Sequence, residues 1–281
     1  MKIRVVLLIA AVVLLSSLAS CKTTQTNTAA IEATTSAAEG MTPEQEYYLG
    51  RAVAANILSS YRIYDGNPAL TDYLNNIRAA ITANSPRPDV YNGYHVAILD
   101  SNEVNAFATP GGHIFVTRGL ISAAKSEDAL AGVIAHEVAH IQLQHGLKAI
   151  KTSRITQAIM ITSMAVVEGV TERDLTEATN LFNNTIGQIV NTLVNKGYSK
   201  SQEYDADSAA LRLMTSAGYN PRGLIDVLEE LKAVQKNVTG GFNKTHPTPA
   251  DRIKKANKLI KNYSVTDSSS YRQERFNSVA R

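Results

Sequence analysis

The sequence predicts an α+β domain, mostly helical, with a small β-sheet beside a buried helix that carries His136-Glu137-Val138-Ala139-His140. Three observations predict it. Apolar residues recur at helical spacing through much of residues 41–263. β-branched and apolar runs bounded by turn residues gather between positions 95 and 117. Ala129-Leu130-Ala131-Gly132-Val133-Ile134-Ala135 leads into the motif with scarcely a polar side chain, so that helix is interior.

At the N-terminus, Lys2 and Arg4 precede the apolar run Val5 to Leu15, which is too short for a stable membrane span and fits a signal peptide over residues 1–20. Leu18-Ala19-Ser20-Cys21 has the lipobox pattern, in which the cysteine thiol takes a lipid, so Cys21 is the expected lipidation site. Cys21 is the only cysteine, and the mature domain forms no internal disulfide. Residues 21–40 carry almost no bulky apolar side chain beyond the cysteine and read as a flexible tether. Lys22 after the cysteine favours the outer membrane, which sets the expected location as the periplasmic face of that membrane.

The folded domain is expected over 41–263. Thr42-Pro43-Glu44-Gln45 is a capping box with proline at the first helical position. A second helix starts near Asn67-Pro68 and carries Leu70, Leu74, Ile77 and Ile81. Strands follow at His95–Leu99, Val104–Ala108 and His113–Thr117, with Thr109-Pro110-Gly111-Gly112 turning between the last two. A strand edge there would accept an extended peptide through main-chain bonds, with Asn105 near it.

Ser126 caps the motif helix, Glu127 and Asp128 complement its dipole, and Gly146 is its expected stop. Two amphipathic stretches follow, one through Ile155 to Val167 and one through Leu181 to Val194. They would pack beside the cleft, cover it, or meet a partner. Further helices are expected from Asn220-Pro221 to about Gln235 and from Thr248-Pro249 to about Asn262, and the polar residues 264–281 read as a frayed tail.

The motif carries the chemistry. Two histidines at i and i+4 share a helix face and reach one tetrahedral Zn²⁺, while Glu137, offset by one, takes the proton of the attacking water. A third protein ligand is needed. Leu143 and Gly146 stand where a metzincin has glycine and histidine, so that class is excluded. Glu203 in Ser201-Gln202-Glu203-Tyr204-Asp205-Ala206-Asp207 is the strong alternative, with Asp207 on the same face to accept the free N–H of a ligand histidine. Asp205 points elsewhere on the wheel. His145, at i+5 from His140, falls off the ligand face and reads as structural.

These residues resemble the gluzincin metalloendopeptidases that include the CAAX prenyl proteases, the HtpX heat-shock proteases and soluble periplasmic relatives such as LoiP and BepA. The resemblance spans roughly residues 41–262 and includes Asn105-Ala106-Phe107-Ala108-Thr109-Pro110-Gly111-Gly112, Ile114 to Leu120, H-E-x-x-H, Glu203 to Asp207, and Thr245-His246-Pro247. It implies a zincin-like fold and one Zn²⁺ per chain. It also implies His136, His140 and Glu203 as ligands, Glu137 as base and Asp207 as their support. His246 would be catalytic near the metal, in a loop ahead of a helix capped by Thr248, and Arg252 would lie beside it. Arg252 would then hold substrate or pair with Asp251. The implied activity is cleavage of misfolded or surplus envelope proteins, with the envelope assembly machinery as a possible partner. A chaperone that keeps the fold without cleaving is the competing reading, and the intact Glu137 stands against it.

The formal charge is +3, of which Lys2 and Arg4 supply two, so nucleic-acid binding finds no support. Lys232, Lys236, Lys244, Arg252, Lys254, Lys255, Lys258 and Lys261 form a basic run that reads as a solvated helix face able to lean on anionic headgroups.

Overall fold

A computed structural model of the chain describes residues 41–148, 172–234, 242–246, 249–264 and 269–280. In chain order its elements are α1 (Pro43–Leu58), α2 (Pro68–Ala83), β1 (His95–Leu99), β2 (Ala106–Ala108), β3 (His113–Thr117), α3 (Arg118–Ala123), α4 (Glu127–Gln142), α5 (His145–Lys148), α6 (Glu172–Val190), α7 (Lys200–Ser216), α8 (Arg222–Val234), α9 (Phe242–Thr245), α10 (Pro249–Leu259) and α11 (Ser269–Ala280).

Helix α4 is the axis around which the rest packs. Every residue from Glu127 to Ile141 is buried, because α2, α7, α8 and the sheet surround it. Each fully buried Val, Leu or Ile there stabilises the fold by about 1.5–3 kcal/mol. The closest approach is to α8. A Cβ at Gly132 would stand 2.8 Å from Leu224 Cα, and one at Gly223 would stand 2.3 Å from the Asp128 carbonyl oxygen, so only glycines let these backbones touch.

Local chemistry sets the helix starts, at α1, α2 and α4 as the sequence predicts and at α7 through a cap that the sequence reading did not name. Thr42 and Gln45 form the capping box of α1, Asn67 caps α2, Ser126 caps α4, and Ser199 with Gln202 makes a second capping box for α7. The three strands make one sheet in the order β1-β3-β2, with β1 parallel and β2 antiparallel to β3. β2 is therefore an edge, as expected, and it lies along α4.

The structure departs from the sequence reading in three places. α4 ends at Gln142, not near Gly146, because Gln144 adopts φ 55 and turns the chain before α5 begins. Residues 269–280 of the supposedly frayed tail form helix α11, with Phe276 fully buried in the main core. Its hold on the domain is electrostatic as well as apolar, since Arg272 and Arg275 reach the buried Asp128 and Glu127 at the head of α4. The Leu181 to Val194 stretch continues past α6 as a π-helical run, Asn191–Lys196. Residues 1–40, the Ile155 to Val167 stretch, Gln235 and the Thr248 cap lie outside the described residues. Among the described residues no helix is long and apolar enough to cross a membrane.

Candidate metal centre and active site

One turn of α4 brings the Nε2 atoms of His136 and His140 to 3.0 Å from each other. The Ser199 cap starts α7 so that Glu203 falls in its first turn, where its carboxylate oxygens lie 3.5 Å from each of those nitrogens. His246 follows α9 directly and places Nδ1 3.3 Å from His136 Nε2 and 3.2 Å from Glu203 Oε1. All four donor atoms lie within 4.8 Å of one another, and no residue of the set is more than 1% exposed. Donors bonded at about 2.0–2.1 Å to one tetrahedral ion lie about 3.3 Å apart, so this spacing is that of a metal cage.

The charges agree with the geometry. Burial and Arg252 push the His136 pKa down, but Asp207 and Glu203 outweigh them and hold it at about 9, so the cluster draws a positive charge to the point where a cation would sit. Burial and neighbouring His136 hold His140 well below the ordinary histidine range. Glu203 resists the upward pull of burial because His246 and Arg252 keep its carboxyl ionised well below the usual range. Facing lone pairs repel unless a cation lies between them, and the set fits a divalent metal.

Glu137 differs from these groups. It is fully buried, neither carboxylate oxygen has a hydrogen-bond partner among the described residues, and burial raises its pKa. The closest polar atom of the cluster is His246 Nε2, 3.6 Å from Oε1. A buried carboxylate left without partners beside a metal cage is what a base facing water requires.

A model of peptidase family M48 matches residues 68–260. The chain belongs to peptidase family M48. Members of the family with curated names include the mitochondrial metalloendopeptidase OMA1 of Schizosaccharomyces pombe, 31% identical over 207 residues, or 71% of this chain and 56% of that protein. The beta-barrel assembly-enhancing protease of Escherichia coli (strain K12) is 24% identical over 227 residues, 78% of this chain and 44% of that protein. The metalloprotease LoiP of the same organism is 28% identical over 152 residues, 54% of this chain and 57% of that protein. The chain therefore spans about half the length of these relatives. The family implies a metal, and the His136, His140, Glu203 and His246 cluster is where this member would hold it.

Asp207 Oδ1 lies 3.0 Å from His136 Nδ1, so Nδ1–H donates to the carboxylate. Two sequence expectations need correction. Arg252, expected at the substrate, is fully buried and donates twice to Asp207, from Nε at 2.8 Å and Nη2 at 2.7 Å, while Nη1 pairs with Glu203 at 3.0 Å. Two carboxylates claim its guanidinium, and it does not pair with Asp251. Asn105 is likewise fully buried, accepting from Thr245 Oγ1 at 3.1 Å and donating to Glu103 Oε1 at 3.2 Å. It holds the strand before β2 to the His246 segment and is not free to meet a peptide.

Sequence reasoning passed over Tyr198 and gave His145 only a structural role off the ligand face; both stand on the His140 side. Tyr198 stacks on the His140 ring with centroids 4.0 Å apart and planes at 15°. His145 Nδ1 lies 2.9 Å from His140 Nδ1, and burial followed by the nearby Lys148 lowers its pKa to about 4. The signal for Tyr198 was its place just before the Ser199 cap of the ligand helix.

Proposed function

We propose that the chain is a zinc-dependent metalloendopeptidase of the bacterial cell envelope, hydrolysing peptide bonds of misfolded or surplus envelope proteins. The observation that carries this is one conjunction: four donor atoms within 4.8 Å of one another next to Glu137, a buried carboxylate with no hydrogen-bond partner among the described residues. His136, His140 and Glu203 would hold a zinc ion, which when bound would supply Lewis acidity toward water and the scissile carbonyl. Glu137 then takes the proton of the attacking water and returns it to the leaving amine, a task suited to a carboxylate whose pKa burial has raised.

His246 is the regulatory part of this reading. With its Nδ1 among the donors, four protein atoms would be available to one ion, and His246 would compete with water for the fourth position. Its Nε2 donates to the Ala106 carbonyl at 3.3 Å, on the edge strand that an extended peptide would pair with. Withdrawal of this one side chain would open both the metal and the strand edge.

The name of one relative, beta-barrel assembly-enhancing protease, supports an assembly machinery as the setting, and residues 1–20 with Cys21 support export and a lipid anchor at the periplasmic face of the outer membrane. A chaperone that keeps the fold without cleaving does not require Glu137. The test measures zinc content and unfolded-casein cleavage side by side. Glu137→Gln should keep zinc and lose cleavage by about 10²–10⁴-fold, and Glu203→Ala should lose zinc. Substantial cleavage by Glu137→Gln would sink the assigned mechanism. In the same assay His246→Ala should raise basal cleavage if it plugs the site, whereas a fall of about 10²-fold would make it an oxyanion donor instead.

A further inference from the structure

We infer that His145 is the positioning residue that aims His140 at the metal, set in place by the left-handed turn at Gln144; this rests on the zinc reading above. The two ligand histidines of α4 are not supported alike. His136 has a carboxylate behind it, Asp207 at 3.0 Å from its Nδ1. His140 has no carboxylate there. Its Nδ1 meets the Nδ1 of His145 at 2.9 Å, and that ring is 3% exposed.

The proton positions follow. For His140 to offer a lone pair at Nε2, its hydrogen must sit on Nδ1 and be donated. His145 Nδ1 is then the acceptor, with its own hydrogen on Nε2. One neutral imidazole thereby fixes the tautomer and the angle of another. Tyr198, stacked at 4.0 Å, fixes the plane of the same ring.

An unbroken helix cannot make this contact, because five residues of α-helix rotate a side chain about 140° away. The chain turns instead. Gln144 takes φ 55, a conformation that non-glycine residues avoid, and α5 starts at His145 immediately afterwards. The turn is held from outside, since Gln144 Nε2 donates to Glu46 Oε2 at 3.1 Å. Glu46 is 2% exposed and also pairs with Arg87 at 3.4 Å. It belongs to α1, which precedes the family-matched residues 68–260. A chain of contacts thus runs from α1 through Gln144 and His145 to His140.

The experiment measures zinc affinity by chelator competition on the purified protein, with the melting temperature of the metal-free form as the control. His145→Ala should weaken zinc binding about 10- to 100-fold. His145→Asn offers an amide oxygen as acceptor and should recover most of that loss. Gln144→Gly suits a positive φ and should keep the affinity near that of the unaltered protein. Equal affinity in His145→Ala and the unaltered protein would overturn the inference. Equal losses in the Ala and Asn variants would do so too, because packing and not the hydrogen bond would then be at work. Absence of zinc binding by the unaltered protein would instead overturn the zinc reading beneath it.

Discussion

Helix α4 carries two fully buried glutamates, Glu127 and Glu137, that live in opposite conditions. Glu127 sits in the first turn, where the macrodipole favours an acid, and Tyr73 donates to it at 3.0 Å while Arg275 grips both oxygens in a bidentate pair. Glu137 sits in the middle of the helix with neither oxygen hydrogen-bonded among the described residues. A charge that serves only the fold is neutralised by everything within reach. Glu137, to which the proposed mechanism gives the proton transfer, has no hydrogen bond to quench it, and the surrounding core holds it there.

The pair of substitutions Glu137→Gln and Glu127→Gln separates the two roles most sharply. The first should remove turnover by about 10²–10⁴-fold with the melting temperature unchanged or higher, since it discharges an unpaired buried group. The second should leave turnover per folded molecule unchanged and lower stability. Breaking a fully buried ion pair costs about 3–5 kcal/mol, but Arg275 is 54% exposed, so roughly 1–3 kcal/mol is expected by chemical denaturation. A Glu127→Gln protein of unaltered stability and lost turnover would erase the distinction.

A smaller effect separates the sheet from both ends of the helix. Burial, followed by repulsion from His95 and Arg51, lowers the pKa of His113 below its ordinary 6.5. Its neutral form is favoured in the fold, so the stabilisation is present above about pH 6.5 and fades as pH falls and the unfolded chain takes the proton. In metal-free protein the His113 contribution should therefore fall between pH 7 and pH 5, and His113→Asn should remove that part of the slope. An unchanged slope in that variant would assign the acid sensitivity to other groups.

What the sequence made legible is what local chemistry decides. Caps at Thr42, Asn67 and Ser126 mark their helices, β-branched and apolar runs mark three strands, and the spacings 136–140 and 203–207 put side chains on single helix faces. The misses all involve partners far away in the chain. Arg252 turned inward because Glu203 and Asp207 wait there, and Asn105 did so because Thr245 does. α11 forms on a polar segment because Glu127 and Asp128 give its arginines somewhere to bind. His145 looked misplaced only under the assumption of a continuous helix, which Gln144 breaks under the hold of Glu46.

The contact of α4 with α8 through Gly132 and Gly223 has a consequence for how this protein tolerates change. The apolar side chains around α4 can exchange with others of similar volume at small cost. These two positions cannot. One methyl group at either would drive backbone against backbone, at 2.8 Å from Leu224 Cα or 2.3 Å from the Asp128 oxygen. One of the two helices would have to shift, and a shift of α4 would carry His136, Glu137 and His140 with it. The substitution from glycine to alanine, the mildest that a codon change can make, would here act at a distance on the donor spacing.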